Sequence, residues 1–175
     1  NDVLKALPNL TDATEGEKAW LAAEARFLRG YYHFEAALIW KNVPFIDETL
    51  KDTRIPNTTD VYPKIEEDFR FAIDNLPATQ VEVGRINSWG AKAFLAKAYL
   101  YQGKLADAKP ILDDLIANGV TSNGLKYGLE DCFDNNFNAD FRNGKESVFA
   151  YQAAVGEEFN ARYGDVLNAP LFGPF

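Results

Sequence analysis

The sequence predicts a mainly α-helical fold with a small irregular and partly β tail, and three observations carry that prediction. Residues 15–40 run without proline beneath two adjacent apolar rows at helical spacing. Trp20, Phe27, Tyr31, Phe34 and Leu38 make one row, and Leu21, Ala25, Leu28, Tyr32 and Ile39 make the other. Three more amphipathic stretches of helical length follow, closed by proline or glycine. After Gly119 the periodicity gives way to a segment rich in Asn, Asp and Gly. A stripe two rows wide is too broad for a surface helix, so 15–40 reads as the central helix of an all-α core, about 39 Å long.

Taken in order, residues 1–14 are polar, contain Pro8 and read as an approach loop. Thr14, Glu15 and Glu17 have the chemistry of a helix N-terminus: a hydroxyl for the free N–H groups and acids for the positive end of the dipole. Asn42 and Pro44 stop the first helix near Trp40, leaving 41–58 as an irregular crossover. The second helix starts with Thr59 or Asp60 as N-cap, tolerates Pro63 in its first turn and stops at Pro77. Its buried face is Ile65, Phe69, Ala72, Ile73 and Leu76. Asn87 or Ser88 caps the third helix, which ends at Gly103. The fourth covers 104–118, bends where Pro110 removes a donor, and closes at Gly119.

Within the third and fourth helices, Leu95, Ala96, Tyr99, Gly103, Ala108 and Leu112 fall at the intervals of a tetratricopeptide unit. Small residues sit where two helices cross closely, and large ones fill between them. Ile65, Phe69, Ala72 and Pro77 repeat the second half of that pattern, so residues 15–119 form two tetratricopeptide-like helical hairpins. Residues 120–175 form the irregular tail. In it Phe133, Phe137 and Phe141 recur at every fourth position, and 147–152 (SVFAYQ) is the best strand candidate.

A chain of 175 residues, 47% of them hydrophobic, can bury one good core and is not disordered. With 18 basic and 26 acidic residues the net charge is −8, and no Lys/Arg cluster appears along the sequence, which excludes nucleic acid and anionic membrane surfaces as partners. Aromatic residues make up 14%, more than one core helix needs, so some rings should face a ligand or partner. Cys132, the only cysteine, reads as a buried or inert thiol. The chain starts at Asn1 and lacks methionine, so any targeting or anchoring segment is expected upstream, and the chain reads as the helical part of a larger protein.

The succession AEARFLRGYYHF, VPF, VYPKIEEDFRFAIDNLP, GRINSWGAKAFLAKAYLYQG and NGKESVFAYQ resembles the SusD/RagB family over residues 17–152. The resemblance implies the α-α superhelix of those proteins. It also implies a nutrient-binding lipoprotein on the outer membrane of Bacteroidota, anchored through a lipidated cysteine outside this chain. Such a protein captures oligosaccharides or polysaccharides and passes them to a SusC-like TonB-dependent transporter, with no catalysis and no cofactor. The alternative is a peptide-binding RagB-like member or a general tetratricopeptide interaction module.

Exposed rings are the natural platforms for sugars, because a flat ring covers the apolar face of a pyranose while amides bond its hydroxyls. By position the candidates are Trp40, Trp89, Tyr163, Phe172 and Phe175, with Asn160 and Asn168 as amides. Asp134, Asn136, Asn138 and Asp140 alternate as the first oxygen ligands of a calcium loop would, but Ala139 holds the turn position and Asx turns explain the spacing as well. His33 reads as a core or interhelical hydrogen-bonding residue, and Arg26 and Arg29 as partners for carboxylates of the second helix. Glu66-Glu67-Asp68 and Asp113-Asp114 read as solvated faces rather than a glycosidase pair.

Overall fold

The structure, a computed structural model, describes residues 1–152. Its helices are α1 (Asp2–Ala6), α2 (Glu15–Trp40), α3 (Tyr62–Asn75), α4 (Ser88–Tyr101) and α5 (Leu105–Asn118). A capping box starts α2, where the Thr14 hydroxyl accepts the Glu17 N–H at 3.2 Å and the Glu17 carboxylate accepts the Thr14 N–H at 2.8 Å. The Thr14 hydroxyl and N–H hold the Glu17 carboxyl below its ordinary range. The first residues of α3 follow a different plan from the one the sequence suggested. Val61 is the N-cap, and Asp60 contributes from outside by accepting the Tyr62 N–H at 3.0 Å. Gly103, at φ 72°, makes the tight turn between α4 and α5, a conformation that glycine adopts without strain.

Consecutive helices pack on one another, giving the hairpins α2–α3 and α4–α5 stacked through α3 and α4. At the α2–α3 crossing Gly30 lets the helices close, since a Cβ there would stand 3.1 Å from the Phe69 ring and 3.2 Å from the Asp68 Cβ. Ala72, Ala91, Ala96, Ala98 and Ala108 are buried at the later crossings. The core is aromatic. Phe27 lies 5.7 Å from Phe69, 5.4 Å from Phe94 and 5.3 Å from Phe149, the last two edge to face.

Four expectations are corrected. First, α2 is not central but flanks the stack. Its first apolar row faces α3, while Tyr32 (67% exposed) and Ile39 (70%) of the second row stand in solvent. Periodicity reports the breadth of an apolar face and not what covers it. Second, residues 1–14 are not wholly loop: α1 forms and docks on α2, with the Asn1 amide donating to the Ile46 carbonyl at 2.8 Å. Third, 147–152 is not a strand. Among the described residues no neighbouring backbone supplies a ladder, and Phe149 turns into the helical core instead. Fourth, Cys132 is exposed, because it lies in the polar loop before a 3₁₀ turn.

The acidic run on α3 is a further correction, since Asp68 is fully buried and Glu66 is 5% exposed. The cause is the cations that α2 and α4–α5 bring to them. Asp68 Oδ1 accepts from Arg26 Nε at 2.7 Å and Arg29 Nη2 at 2.6 Å, and its Oδ2 accepts from Arg29 Nε at 2.7 Å. Burial opposes the charge on Arg29, but hydrogen bonds to Asp68 and Glu48 outweigh it and raise the pKa of the guanidinium. Glu66 is held by Lys104 at 2.6 Å, Gln102 at 2.9 Å and Arg70 at 2.9 Å. Burial raises its pKa, and those hydrogen bonds more than reverse the effect. The pairing expected for Arg26 and Arg29 is therefore present, and it is what takes Asp68 out of water, while Glu67 stays exposed.

Asn87 joins the helical stack to the segment that follows it. Its Oδ1 caps α4 by accepting the Gly90 N–H at 2.8 Å, and its amide donates to the Ala78 carbonyl at 2.7 Å and the Val120 carbonyl at 2.9 Å. Asn87→Ala is expected to lower stability by about 2–3 kcal/mol in urea unfolding, because a cap is lost from a fully buried side chain and the Ala78 and Val120 carbonyls lose their donor. A loss below about 0.5 kcal/mol would show that water replaces the side chain at this position.

Candidate functional site

The site is built where the chain leaves α5. Gly119 accommodates a close approach, since a Cβ there would lie 2.6 Å from the Tyr127 ring and 2.5 Å from the Leu115 carbonyl. Burial of Tyr127 against this turn pushes its phenol up to about 12. Residues 121–125 then form a tight turn around the buried Thr121, whose N–H donates to the Leu125 carbonyl at 2.8 Å and whose hydroxyl accepts the Leu125 N–H at 3.0 Å. Two bonds fasten this turn to the loop before α4: the Gln80 N–H to the Ser122 carbonyl at 2.8 Å, and the Ser122 hydroxyl to the Val83 carbonyl at 2.7 Å.

Residues 130–145 form a loop carried on this base, with two 3₁₀ turns at Phe133–Phe137 and Ala139–Phe141. The four-residue spacing of the phenylalanines thus leads to short turns that expose the rings, not to a buried helix face. Phe133 and Phe137 stand in solvent with centroids 5.2 Å apart, edge to face, and Phe141 is half exposed. The Glu130 carboxylate accepts the Lys145 N–H at 2.9 Å and lies close against Gly144, where a Cβ would come within 2.4 Å of that oxygen. Lys145 Nζ reaches Asp131 at 2.8 Å, a pair that lowers the carboxyl pKa and raises that of the ammonium.

Between these groups Arg142, Asn143 and Gly144 form a ridge. Asn143 adopts φ 59°, a left-handed conformation that asparagine tolerates. It is locked by a reciprocal amide pair with Gln152, at 3.1 Å one way and 2.9 Å the other. Phe149 anchors the far side by inserting among Phe27, Tyr31 and Phe94. Two open clefts of about 540 and 400 Å³ flank the ridge and share Phe141, Arg142, Asn143 and Gly144. Lys126, Glu130 and Lys145 border the larger, and Asn136, Glu146 and Tyr151 border the smaller. An exposed ring beside amides and charged groups in an open depression can receive a flat polar ligand with an apolar face.

Neither tryptophan proposed from sequence borders these clefts. Trp40 ends α2 and is largely exposed. Trp89 lies in the first turn of α4, half-buried, with the Lys92 ammonium 4.4 Å from its ring centre. Tyr163, Phe172, Phe175, Asn160 and Asn168 lie outside the described residues. Of the calcium candidates, Asn138 accepts the Asp140 N–H at 3.0 Å in an Asx turn, and Asp134 and Asn136 belong to the preceding 3₁₀ turn. His33 is structural: its Nδ1 lies 2.8 Å from the Arg29 carbonyl, and its ring packs 4.7 Å from that of Phe45. Phe141 and Arg142, which border both clefts, are not among the candidates read from the sequence. The regular spacing of the phenylalanines was the available signal, but it does not say which side of a turn meets solvent.

A family model described as SusD-like, starch-binding and associating with the outer membrane, matches residues 1–100. A SusD-like protein of Bacteroides ovatus is 31% identical over 170 aligned positions, covering 87% of this chain and 30% of that protein. Among solved structures, a laminarin-binding SusD-like protein superimposes with a TM-score of 0.73 at 31% identity, over 85% of this chain and 34% of the other. A crystal structure with a xylogluco-oligosaccharide gives a TM-score of 0.72 at 29% identity, over 87% of this chain and 32% of the other. The chain spans about a third of the length of the relatives it matches. With 100 of its 175 residues matched by the family model and the same helical fold, the chain belongs to the SusD-like family.

Proposed function

We propose that the protein captures oligosaccharides at the surface of a bacterial outer membrane and passes them to a SusC-like TonB-dependent transporter, without catalysing a reaction. The observation that carries this reading is Phe141 at two clefts, with the exposed Phe133 and Phe137 in the same loop, which is bolted to the helical stack. Water gains by losing contact with such rings, and the face of a pyranose is a suitable cover. Relatives of the same fold named for laminarin or xylogluco-oligosaccharide support a glycan ligand.

Non-catalytic capture is supported by how the carboxylates are engaged. Glycoside hydrolysis needs one protonated and one ionised carboxyl facing a common gap. Asp68 is held by two arginines, and Glu66 by a lysine, an arginine and a glutamine. Asp113 is paired with Lys109 at 2.5 Å and Asp114 with Lys92 at 2.7 Å, and the latter contact lowers the Asp114 pKa. None of these carboxyls is placed to serve as a general acid. No described helix is long and apolar enough to cross a membrane, and the proposed attachment is a lipid anchor outside this chain.

In this reading Trp40, Trp89 and the residues Tyr163, Asn160, Asn168, Phe172 and Phe175 are further proposed contacts. Phe141, shared by both clefts, is the sharper test. Phe141→Ala is expected to weaken binding of the recognised glycan about 3- to 10-fold, with an unchanged melting temperature. Calorimetry after a screen of polysaccharides by affinity electrophoresis measures it. Unaltered affinity would place the sugar elsewhere.

A further inference from the structure

The larger cleft also indicates which class of glycan it suits, an inference that rests on the capture reading above. Along the sequence acids outnumber bases, 26 to 18. The tertiary structure nevertheless brings Lys126, Arg142 and Lys145 to one cleft, with Glu130 as the carboxylate among its walls. Their charges are compensated to different degrees. Lys145 is paired with Asp131. Lys126 Nζ donates to the Ala117 carbonyl at 2.8 Å, which orients the ammonium and leaves its charge in place. Arg142 is exposed, and among the described residues no carboxylate lies within ion-pair distance of it or of Lys126.

The neutral groups of the cleft are engaged in its own walls. The Asn123 amide donates to the Asn143 carbonyl at 3.1 Å, and the Asn143 side chain is paired with Gln152. The Glu130 carboxylate is engaged by the Lys145 N–H. Phe141, Lys126 and Arg142 are left to meet a ligand. A guanidinium presents a planar fork that matches the paired oxygens of a carboxylate or sulfate, and an ammonium is a compact point charge beside it.

We propose that this cleft takes an anionic saccharide, a glycan whose units carry carboxylate or sulfate groups, with Phe141 against a ring face and Arg142 and Lys126 on the anionic substituent. The attraction is local and works against the net charge of −8, so it is short-ranged and sensitive to salt.

The test is affinity electrophoresis and calorimetry of the full-length protein with alginate as the carboxylate probe, carrageenan as the sulfate probe and laminarin as the neutral one. Each is measured in about 50 mM and about 300 mM NaCl. The expected result is that one anionic glycan binds roughly tenfold more tightly than laminarin at the lower salt and loses most of that advantage at the higher. Arg142→Gln and Lys126→Gln should each weaken anionic binding roughly 3- to 10-fold and weaken laminarin binding by less, so that the preference for the anionic glycan falls while the melting temperature is unchanged. Which probe wins distinguishes carboxylate from sulfate. Salt-insensitive binding of the neutral glycan alone, or glutamine variants that bind the anionic probes as the parent does, would overturn the charge assignment and leave glycan capture standing. Binding of no glycan in a wider panel would overturn both.

Discussion

Asp68→Ala is expected to lower the unfolding free energy by about 3–5 kcal/mol, the range for removing one partner of a buried charge cluster. Asp68 is fully buried between Arg26 and Arg29, whose guanidinium groups it meets at 2.6–2.7 Å. Without it Arg29 keeps Glu48 and Arg26 keeps Glu67, both at the more exposed ends of the network. The inner sides of both guanidiniums would then face a cavity with no acceptor. The ion pairs also tie α2 to α3, so the loss should be cooperative, shifting the urea midpoint without a large change in slope. An apolar replacement of all three (Arg26→Leu, Arg29→Met, Asp68→Leu) should recover much of the stability, because the penalty comes from charge left uncompensated. A change below about 1 kcal/mol for the single variant would mean that water enters and solvates the arginines.

Phe27→Ala should be comparably severe, costing about 3–5 kcal/mol, for a different reason. Phe27 is fully buried and has the rings of Tyr31, Phe69, Phe94 and Phe149 around it. Those rings belong to three helices and to the segment after them, so no single element can move in to fill the space. Chemical unfolding measures the loss. Phe149 loses a ring that holds it, so increased hydrogen exchange at 143–152 in the variant is expected alongside. If stability falls by less than about 1.5 kcal/mol, the cluster repacks and is less rigid than its geometry implies.

Much of the helical scaffold was legible in the residues. Caps at Thr14 and Asn87, the stop at Pro77 and the turn at Gly103 act within a few positions of themselves, so their effect can be read locally. The pairing of Arg26 and Arg29 with α3 followed from helical spacing and charge. The burial of Asp68 and Glu66 was not legible, because a carboxylate on a helix is solvated or buried according to what the neighbouring helix presents. The second apolar row of α2 failed for the same reason in reverse, since Tyr32 and Ile39 have the right residue type for a core but nothing packed on them. SVFAYQ has strand composition, and its Phe149 is drawn instead into an aromatic pocket formed by rings of α2 and α4.

The sequence by itself determined the four longer helices, most of their ends, and that two tetratricopeptide-like hairpins result, because period, capping and glycine geometry are short-range; α1 and the N-cap of α3 were not legible in it. Only the tertiary structure decided which apolar face is covered, which acids are buried, and that Lys126, Arg142 and Lys145 share one cleft beside Phe141. Those outcomes depend on chain segments distant in sequence meeting in space, and the free energy of burying a ring or concentrating charge is settled by the groups on the opposite wall.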